Sequence, residues 1–439
     1  MTTRWPTGFT WGVSTSSYQI EGAVAEDGRK PSIWDTRCRT PGKVANGDTG
    51  DIACDHYHRF GEDTALMHDL HIPAYRFSVA WPRVLPNGKG ATNEVGLAFY
   101  DRLIDGLLAA GIEPWLCLYH WDLPQALEDL GGWTNRDIVG WFADYAALLA
   151  RRYGDRVKRW ATINEPSVFT LFGYAMDWSA PGQIDRTAHL KAIHHVNLAH
   201  GVAVDTLRAL VPGARVGCIH NRQRVIPESN SDADAFAARK LHAFWNDAFP
   251  EPQLNGVYPA ALADDLAPFI RPGDMARISR PCDYFGLNHY GPIFAKADPA
   301  ALWGFAWGGA PADAPKSDIG WPIFPDMFRD ELIDLSRRYR LPIYVTENGC
   351  GGRAETGAEI DDPHRIKYLS AYIRAMRAAI AAGADVRGYF VWSLLDNFEW
   401  GSGYSNRFGL VFVDFATGKR TVKASGRWFS DLIAGRVDI

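Results

Sequence analysis

Short apolar runs of strand length recur along the chain, and most are followed by a stretch in which apolar residues return every three or four positions. Eight such runs stand out: Phe9 to Thr15, Ala74 to Ala80, Glu113 to His120, Arg159 to Asn164, Arg215 to His220, Asp283 to Asn288, Pro342 to Thr346 and Val386 to Trp392. Helical periodicity fills the intervals, as in residues 99–111, 141–154, 189–210 and 364–383, and several of these patterns stop at a glycine. Alternation of this kind predicts a parallel sheet covered by helices. With eight units and no break in composition, it predicts an α/β fold, a single (β/α)8 TIM barrel occupying residues 1–439 as one domain. Two long segments, 28–54 and 292–325, show neither period and are expected to be βα loops around the mouth of the barrel.

The length of 439 residues exceeds the usual one-domain expectation, but barrels with long loops reach it. A formal charge of −5 leaves no polyanion footprint, so nucleic acid is not expected as a partner. Cys38, Cys54, Cys117, Cys218, Cys282 and Cys350 are scattered singly, which argues against a disulfide framework or a thiolate metal site and fits a reducing compartment. The start of the chain places Arg4, Trp5 and Pro6 where a signal peptide needs its apolar stretch, and no run has the length of a membrane span. The expectation is a cytoplasmic protein that does not engage a membrane. Aromatic content is high, with 17 Trp, 17 Tyr and 22 Phe. Most of these will be core, but such rings also stack on the apolar faces of sugars.

In barrels of this type the chemistry gathers where strands end at the C-terminal face. Polar groups follow the apolar runs at Gln19, Arg76, His120, Asn164 with Glu165, Asn288 with Tyr290, Glu347, and Trp392 leading to Glu399 and Trp400. Glu165 and Glu347 close the fourth and seventh runs. Taken alone, a glutamate at a strand end is as readily a buried ion-pair partner. Two at one barrel mouth are what cleavage of a glycosidic bond requires, one to protonate the leaving oxygen and one to attack or to activate water.

The segments FTWGVSTSSYQIEG (9–22), YRFSVAWPRVLP (75–86), CLYHWDLPQAL (117–127), TINEP (162–166), GLNHY (286–290), YVTENG (344–349) and VWSLLDNFEWGSGYSNRFGLVFVDF (391–415) together resemble glycoside hydrolase family 1, the β-glucosidase family, over nearly the whole chain. The resemblance implies a retaining β-glycosidase acting on terminal β-D-glucosyl residues through a covalent glycosyl-enzyme. Glu165 is then the acid/base and Glu347 the nucleophile. Arg76 keeps Glu347 charged, and Tyr290 donates to it. Asn164 donates to the sugar 2-hydroxyl, and Asn288 supports the pair. Gln19, His120, Trp121, Glu399 and Trp400 bind sugar hydroxyls, and Trp392 lies under the ring. Phe408 either lines the region of the 6-hydroxyl or belongs to the core. Singly, His120, Trp392 and Trp400 read as packing residues; the motif context reverses that.

Glu399 and the lysine-free stretch GSGYSNRFG disfavour a phosphorylated sugar, since a carboxylate would repel a dianionic phosphate. Glu165, where thioglucosidases carry Gln, argues for ordinary O-glycosides. Two departures stand out: Asp177, Trp178 and Ser179 before Ala-Pro-Gly, where the family commonly has Gly and His, and His289, where an aromatic is usual and where a ring turned away from the sugar is expected. His56 and His58, or His194, His195 and His200, lack the spacing of a metal site, and the absence of phosphate-loop and GxSxG motifs removes nucleotide and serine-hydrolase chemistry. No metal and no cofactor are expected. The expected partners are small β-glycosides, such as aryl or alkyl β-glucosides and cello-oligosaccharides. Transglycosylation, β-galactoside or β-fucoside cleavage at the same site, and a silent sugar-binding relative are the alternatives. The oligomeric state is left open.

Overall fold

A computed structural model describes residues 5–352 and 360–439; Arg4 lies outside them. Eight strands close into a barrel: β1 (Thr10–Ser14), β2 (Ala74–Ser78), β3 (Glu113–Tyr119), β4 (Arg159–Asn164), β5 (Arg215–Asn221), β6 (Tyr284–Asn288), β7 (Ile343–Asn348) and β8 (Val386–Trp392). They neighbour one another in chain order, every pairing is parallel, and β8 returns to β1. No strand end departs from the predicted run by more than two residues. The runs are apolar without strict alternation because a parallel barrel is buried on both faces, inside by its own side chains and outside by helices.

The outer helices follow from the periodic stretches. In the helix Glu94–Ala109, Leu97, Tyr100, Leu103, Ile104 and Leu107 form one buried stripe. Each such side chain contributes roughly 1.5–3 kcal/mol by leaving water. A charged residue at Leu103 or Ile104 would set that gain against the cost of an unpaired buried charge. After this helix the chain turns at Gly111, whose φ of 74° suits a residue without a Cβ.

Inside the barrel the side chains stack in layers. The lowest holds Ala74, Trp115, Tyr284, Tyr344 and Phe390, with Trp115 lying 4.9 Å from Tyr344 and 5.0 Å from Phe390 between ring centroids. Such large rings fit because glycines face them: a Cβ on Gly217 would meet the Tyr284 ring at 2.3 Å. Cys117, Ala161 and Ile219 form a smaller layer. Two residues along the strands from Ala74, the period of two brings Arg76 into the barrel, and four residues along from Tyr284 it brings Asn288. This is the level at which the polar site begins.

The two long segments are not structureless. Residues 28–54 contain the helix Ile33–Cys38, started by a reciprocal cap in which Asp35 N donates to Ser32 Oγ and Ser32 N donates to Asp35 Oδ2. Residues 292–325 include strands Ile293–Ala297 and Phe305–Trp307, which join Val225–Pro227 in a small sheet. The reading of 292–325 as lacking any period therefore needs correction. Strands of three to five residues carry too few alternations to stand out among Gly and Pro, and their pairing partner lies far away in the chain. The hairpin Val411–Asp414 with Lys419–Val422 follows the barrel.

Candidate active site

A cavity of about 650 Å³ opens at the C-terminal ends of the strands, and both Glu165 and Glu347 line it. Local sequence explains how each arrives there. At the end of β4, Glu165 adopts a left-handed backbone (φ 48°, ψ 58°) and caps a helix that starts at Pro166, where the missing N–H costs nothing. Its amide is still satisfied, donating to Ile219 O at 3.0 Å. On β7 the register with both neighbours shifts after Val345, an irregularity that turns Glu347 into the mouth. Trp121 (φ 76°) and Trp400 (φ 53°) are further cavity-lining residues in the left-handed region. Strain of this kind concentrates where surrounding structure holds side chains in fixed aim.

The two carboxylates have different neighbours. Glu347 Oε1 accepts from Arg76 Nη1 at 2.6 Å and Oε2 accepts from the Tyr290 hydroxyl at 2.8 Å. Among the described residues no cation pairs directly with Glu165; its Oε1 accepts from Asn221 Nδ2 at 2.8 Å and from Asn288 Nδ2 at 2.9 Å. No hydrogen bond among the described residues engages its Oε2. Burial, then the Glu347 charge, push the Glu165 carboxyl up to about 8, against the pull of the two amides. Burial also raises Glu347, but there the Arg76 guanidinium and the Tyr290 hydroxyl pull in the opposite direction. The surroundings therefore favour the proton on Glu165 and the charge on Glu347, next to its arginine.

A continuous network joins them. Arg76 Nη2 donates to Asn164 Oδ1 at 2.5 Å, and Asn288 Nδ2 bridges from Asn164 Oδ1 (3.0 Å) to Glu165. Asn288 is in turn fixed by Thr346 Oγ1 donating to its Oδ1 at 2.7 Å. Since Asn164 Oδ1 faces two donors, its Nδ2 faces His120 Nε2, at 3.1 Å. His120 Nε2 is then the acceptor and Nδ1 carries the hydrogen. Burial lowers the pKa of His120 well below the usual histidine range, so the ring is neutral. Among the described residues its buried Nδ1–H has no hydrogen-bond partner, which leaves it a ready donor for a ligand hydroxyl.

His120, Trp121, Trp392, Glu399, Trp400 and Phe408 all line the cavity. The His120 ring lies nearly parallel to that of Trp392 (centroids 5.8 Å, 23°), and Trp121 packs on Trp400 at 4.7 Å. Trp121 Nε1 donates to Asn164 O at 3.0 Å, and Trp392 Nε1 to Glu399 Oε1 at 3.2 Å. Burial raises the Glu399 carboxyl to about 8. Arg76, Asn164 and Asn288 lie fully buried beneath the cavity, as does Gln19. Gln19 donates both amide hydrogens, to Asn397 Oδ1 and Phe398 O, each at 2.9 Å, and accepts from Ser16 Oγ at 2.6 Å. Its Oε1 keeps one further lone pair.

Sequence reasoning missed Asn221. It is the last residue of β5, so the strand-end rule would have found it had the predicted run not stopped at His220. Of the wall formed by Phe172, Trp178, Trp245 and Trp307, the sequence singles out only Trp178, as a departure from the family pattern. His289 turns away from the cavity, with Nδ1 2.8 Å from Arg222 O and its ring against Phe328. The histidines weighed as metal ligands go to separate partners: His56 to Asp63, His194 to Tyr258 and Asp274, His195 to Trp133 O, His200 to Thr162. Among the described residues no group of His, Cys, Asp or Glu could hold a metal ion, and no helix is long and apolar enough to cross a membrane.

Known proteins resemble this chain throughout. The family model for glycosyl hydrolase family 1 matches residues 1–437. β-Glucosidase A of Thermotoga maritima is 44% identical over 437 residues, 98% of each chain, and a β-glucosidase of Agrobacterium sp. is 44% identical over 98% of this chain and 96% of its own. The solved structure of the Thermotoga maritima β-glucosidase in complex with glucoimidazole superposes with a TM-score of 0.92 at 43% identity, covering 98% of both chains.

Proposed function

This chain belongs to glycosyl hydrolase family 1, a family of retaining glycosidases, and on that premise we propose how its residues divide the hydrolysis of terminal β-D-glucosyl residues. Glu347 attacks the anomeric carbon while Glu165 Oε2 delivers its proton to the glycosidic oxygen. The carbon–oxygen bond breaks, the aglycone leaves as the alcohol, and the sugar remains as an ester on Glu347. Glu165, now ionised, takes a proton from water as that water attacks the same carbon, which frees Glu347 and restores the starting state. Two inversions give net retention.

The observation that carries this division is the unequal partnering of the two carboxylates. Arg76 sits on Glu347, and among the described residues the partners of Glu165 are neutral amides. In the sugar site Trp392 lies under the ring, His120 Nδ1, Glu399, Trp400 and Trp121 meet the hydroxyls, and Gln19, whose amide hydrogens are both committed, can meet one only through the remaining lone pair of its Oε1. Asn164 holds the 2-hydroxyl, where a bond strengthens as positive charge develops. Phe408 flanks the 6-hydroxyl. Residues 1–439 act as one catalytic domain. The substrates are aryl or alkyl β-glucosides and cello-oligosaccharides. Cys38, Cys54, Cys117, Cys218 and Cys282, all buried and unbridged, support residence in the cytoplasm. The test is the anomer first formed, followed by proton NMR during rapid hydrolysis of an aryl β-glucoside: β-glucose is expected, and initial α-glucose would overturn the double displacement.

A further inference from the structure

Seventeen tryptophans are distributed through the chain. Among the described residues two count as exposed, Trp178 at 49% and Trp321 at 45%, and both line the active-site cavity. Trp321 packs on Tyr290 and Phe408. Trp178 belongs to a separate cluster with Phe172, Trp245 and Trp307, in which Trp178 lies 5.2 Å from Phe172 and 5.3 Å from Trp307. Phe172 and Trp307 are 5.4 Å apart, and Trp245 and Trp307 5.6 Å.

The position of this cluster relative to the chemistry is fixed by hydrogen bonds. Trp245 Nε1 donates to Asn221 Oδ1 at 3.2 Å, and Asn221 Nδ2 donates to Glu165. Phe172 sits in the helix that Glu165 caps. The cluster therefore adjoins the proton donor, which is the side where a leaving group must lie.

Trp178 is also held still. The preceding Asp177 is clamped by Arg37 Nη1 at 2.9 Å and Lys43 Nζ at 2.5 Å, and Arg37 Nη2 donates to Asp177 O at 2.7 Å. Trp178 N donates to Phe172 O at 2.9 Å. A half-exposed indole with so firm a base loses little freedom when a ligand covers it.

We propose that Trp178 and Trp307 form an aromatic corner that selects planar aryl aglycones over a second sugar, an inference that rests on the catalytic assignment above. The two rings stand at 59° to one another. A fused aromatic aglycone can stack on one ring and present its edge to the other, the geometry aromatic pairs favour. A pyranose carries hydroxyls around its rim, and the four rings can meet them only with the indole N–H groups of Trp178 and Trp307: the Phe172 side chain has no polar atom, and the Trp245 N–H is already committed to Asn221.

The test compares kcat/KM for phenyl and 2-naphthyl β-glucosides, whose leaving groups are of similar acidity, with cellobiose and with β-glucosyl fluoride, which has no aglycone ring. The wild type should prefer naphthyl to phenyl. Trp178→Ala should lose roughly three- to tenfold on the naphthyl substrate, the size of one aromatic contact, and stay within about twofold on the fluoride and cellobiose. Trp178→Phe should recover part of the loss. Equal losses on all four substrates, or none on the naphthyl glucoside, would overturn the proposal. A wild type inactive even on the fluoride would instead overturn the catalytic assignment, and this proposal with it.

Discussion

Removing the Glu165 side chain separates the two duties proposed for it in one experiment. With its pKa raised to about 8 from an ordinary 4.5, Glu165 is protonated in about 99 molecules of 100 at pH 6, against about 3 of 100 for an unperturbed glutamate. Burial and the Glu347 charge thus multiply the supply of acid about thirtyfold at that pH. General acid catalysis contributes about 10² to 10⁴ in rate, and the upper part of that range applies where the leaving oxygen most needs its proton. Glu165→Ala should therefore lower kcat/KM for cellobiose about 10³- to 10⁴-fold. For 2,4-dinitrophenyl β-glucoside, whose phenolate leaves unaided, the same variant should lose less than about tenfold.

The pH profile gives a second readout. In the wild type the acid form declines as pH rises through about 8, so kcat/KM on cellobiose should fall about tenfold for each pH increment above it. In the variant, measured with the dinitrophenyl substrate, that alkaline limb should be absent. Initial rates from about pH 5 to 10 on both substrates suffice. Equal losses on the two glycosides, or an alkaline limb that survives the substitution, would refute the reasoning.

Other perturbations act through the partners of the two carboxylates. Arg76→Ala leaves Glu347 buried without its cation; its pKa should rise further, moving the acidic limb of kcat/KM to higher pH, and unfolding free energy should drop by about 3–5 kcal/mol, both readable by rate profiles and denaturant titration. Tyr290→Phe removes one hydrogen bond to the proposed nucleophile Glu347 and should lower kcat/KM about 10- to 100-fold, the equivalent of about 1.5–3 kcal/mol, with the acidic limb shifted the same way. Asn221→Ala removes a donor that favours the ionised form of Glu165, so the alkaline limb should move above about 8, whereas a limb moving down would show that Asn221 stabilises the protonated acid.

The barrel was legible because its strands are continuous apolar runs separated by periodic helices, a pattern set by burial on both faces. The strand-end rule reached Arg76, Glu165, Asn288 and Glu347 for the same reason. The rule could not distinguish Gln19, whose amide is tied to Asn397, Phe398 and Ser16 below the cavity, from His120, whose Nδ1 is left open. That difference depends on partners brought together from across the chain. His289 was correctly expected to turn away. The aromatic corner was illegible because Phe172, Trp178, Trp245 and Trp307 come from three separate segments, and a tryptophan in a loop carries no signal of what it faces. Trp178 was singled out only as a departure from a familiar pattern, and what it faces is fixed by the two cations clamping Asp177.

The central claim is that Glu347 carries the sugar between two displacements. Incubation with a 2-deoxy-2-fluoro-β-glucoside bearing an activated leaving group slows release of the intermediate, so that digestion and mass spectrometry can locate it. The account predicts stoichiometric inactivation with one fluoroglucosyl ester on the peptide containing Glu347. An adduct on any other residue, or turnover with no covalent species, would contradict it.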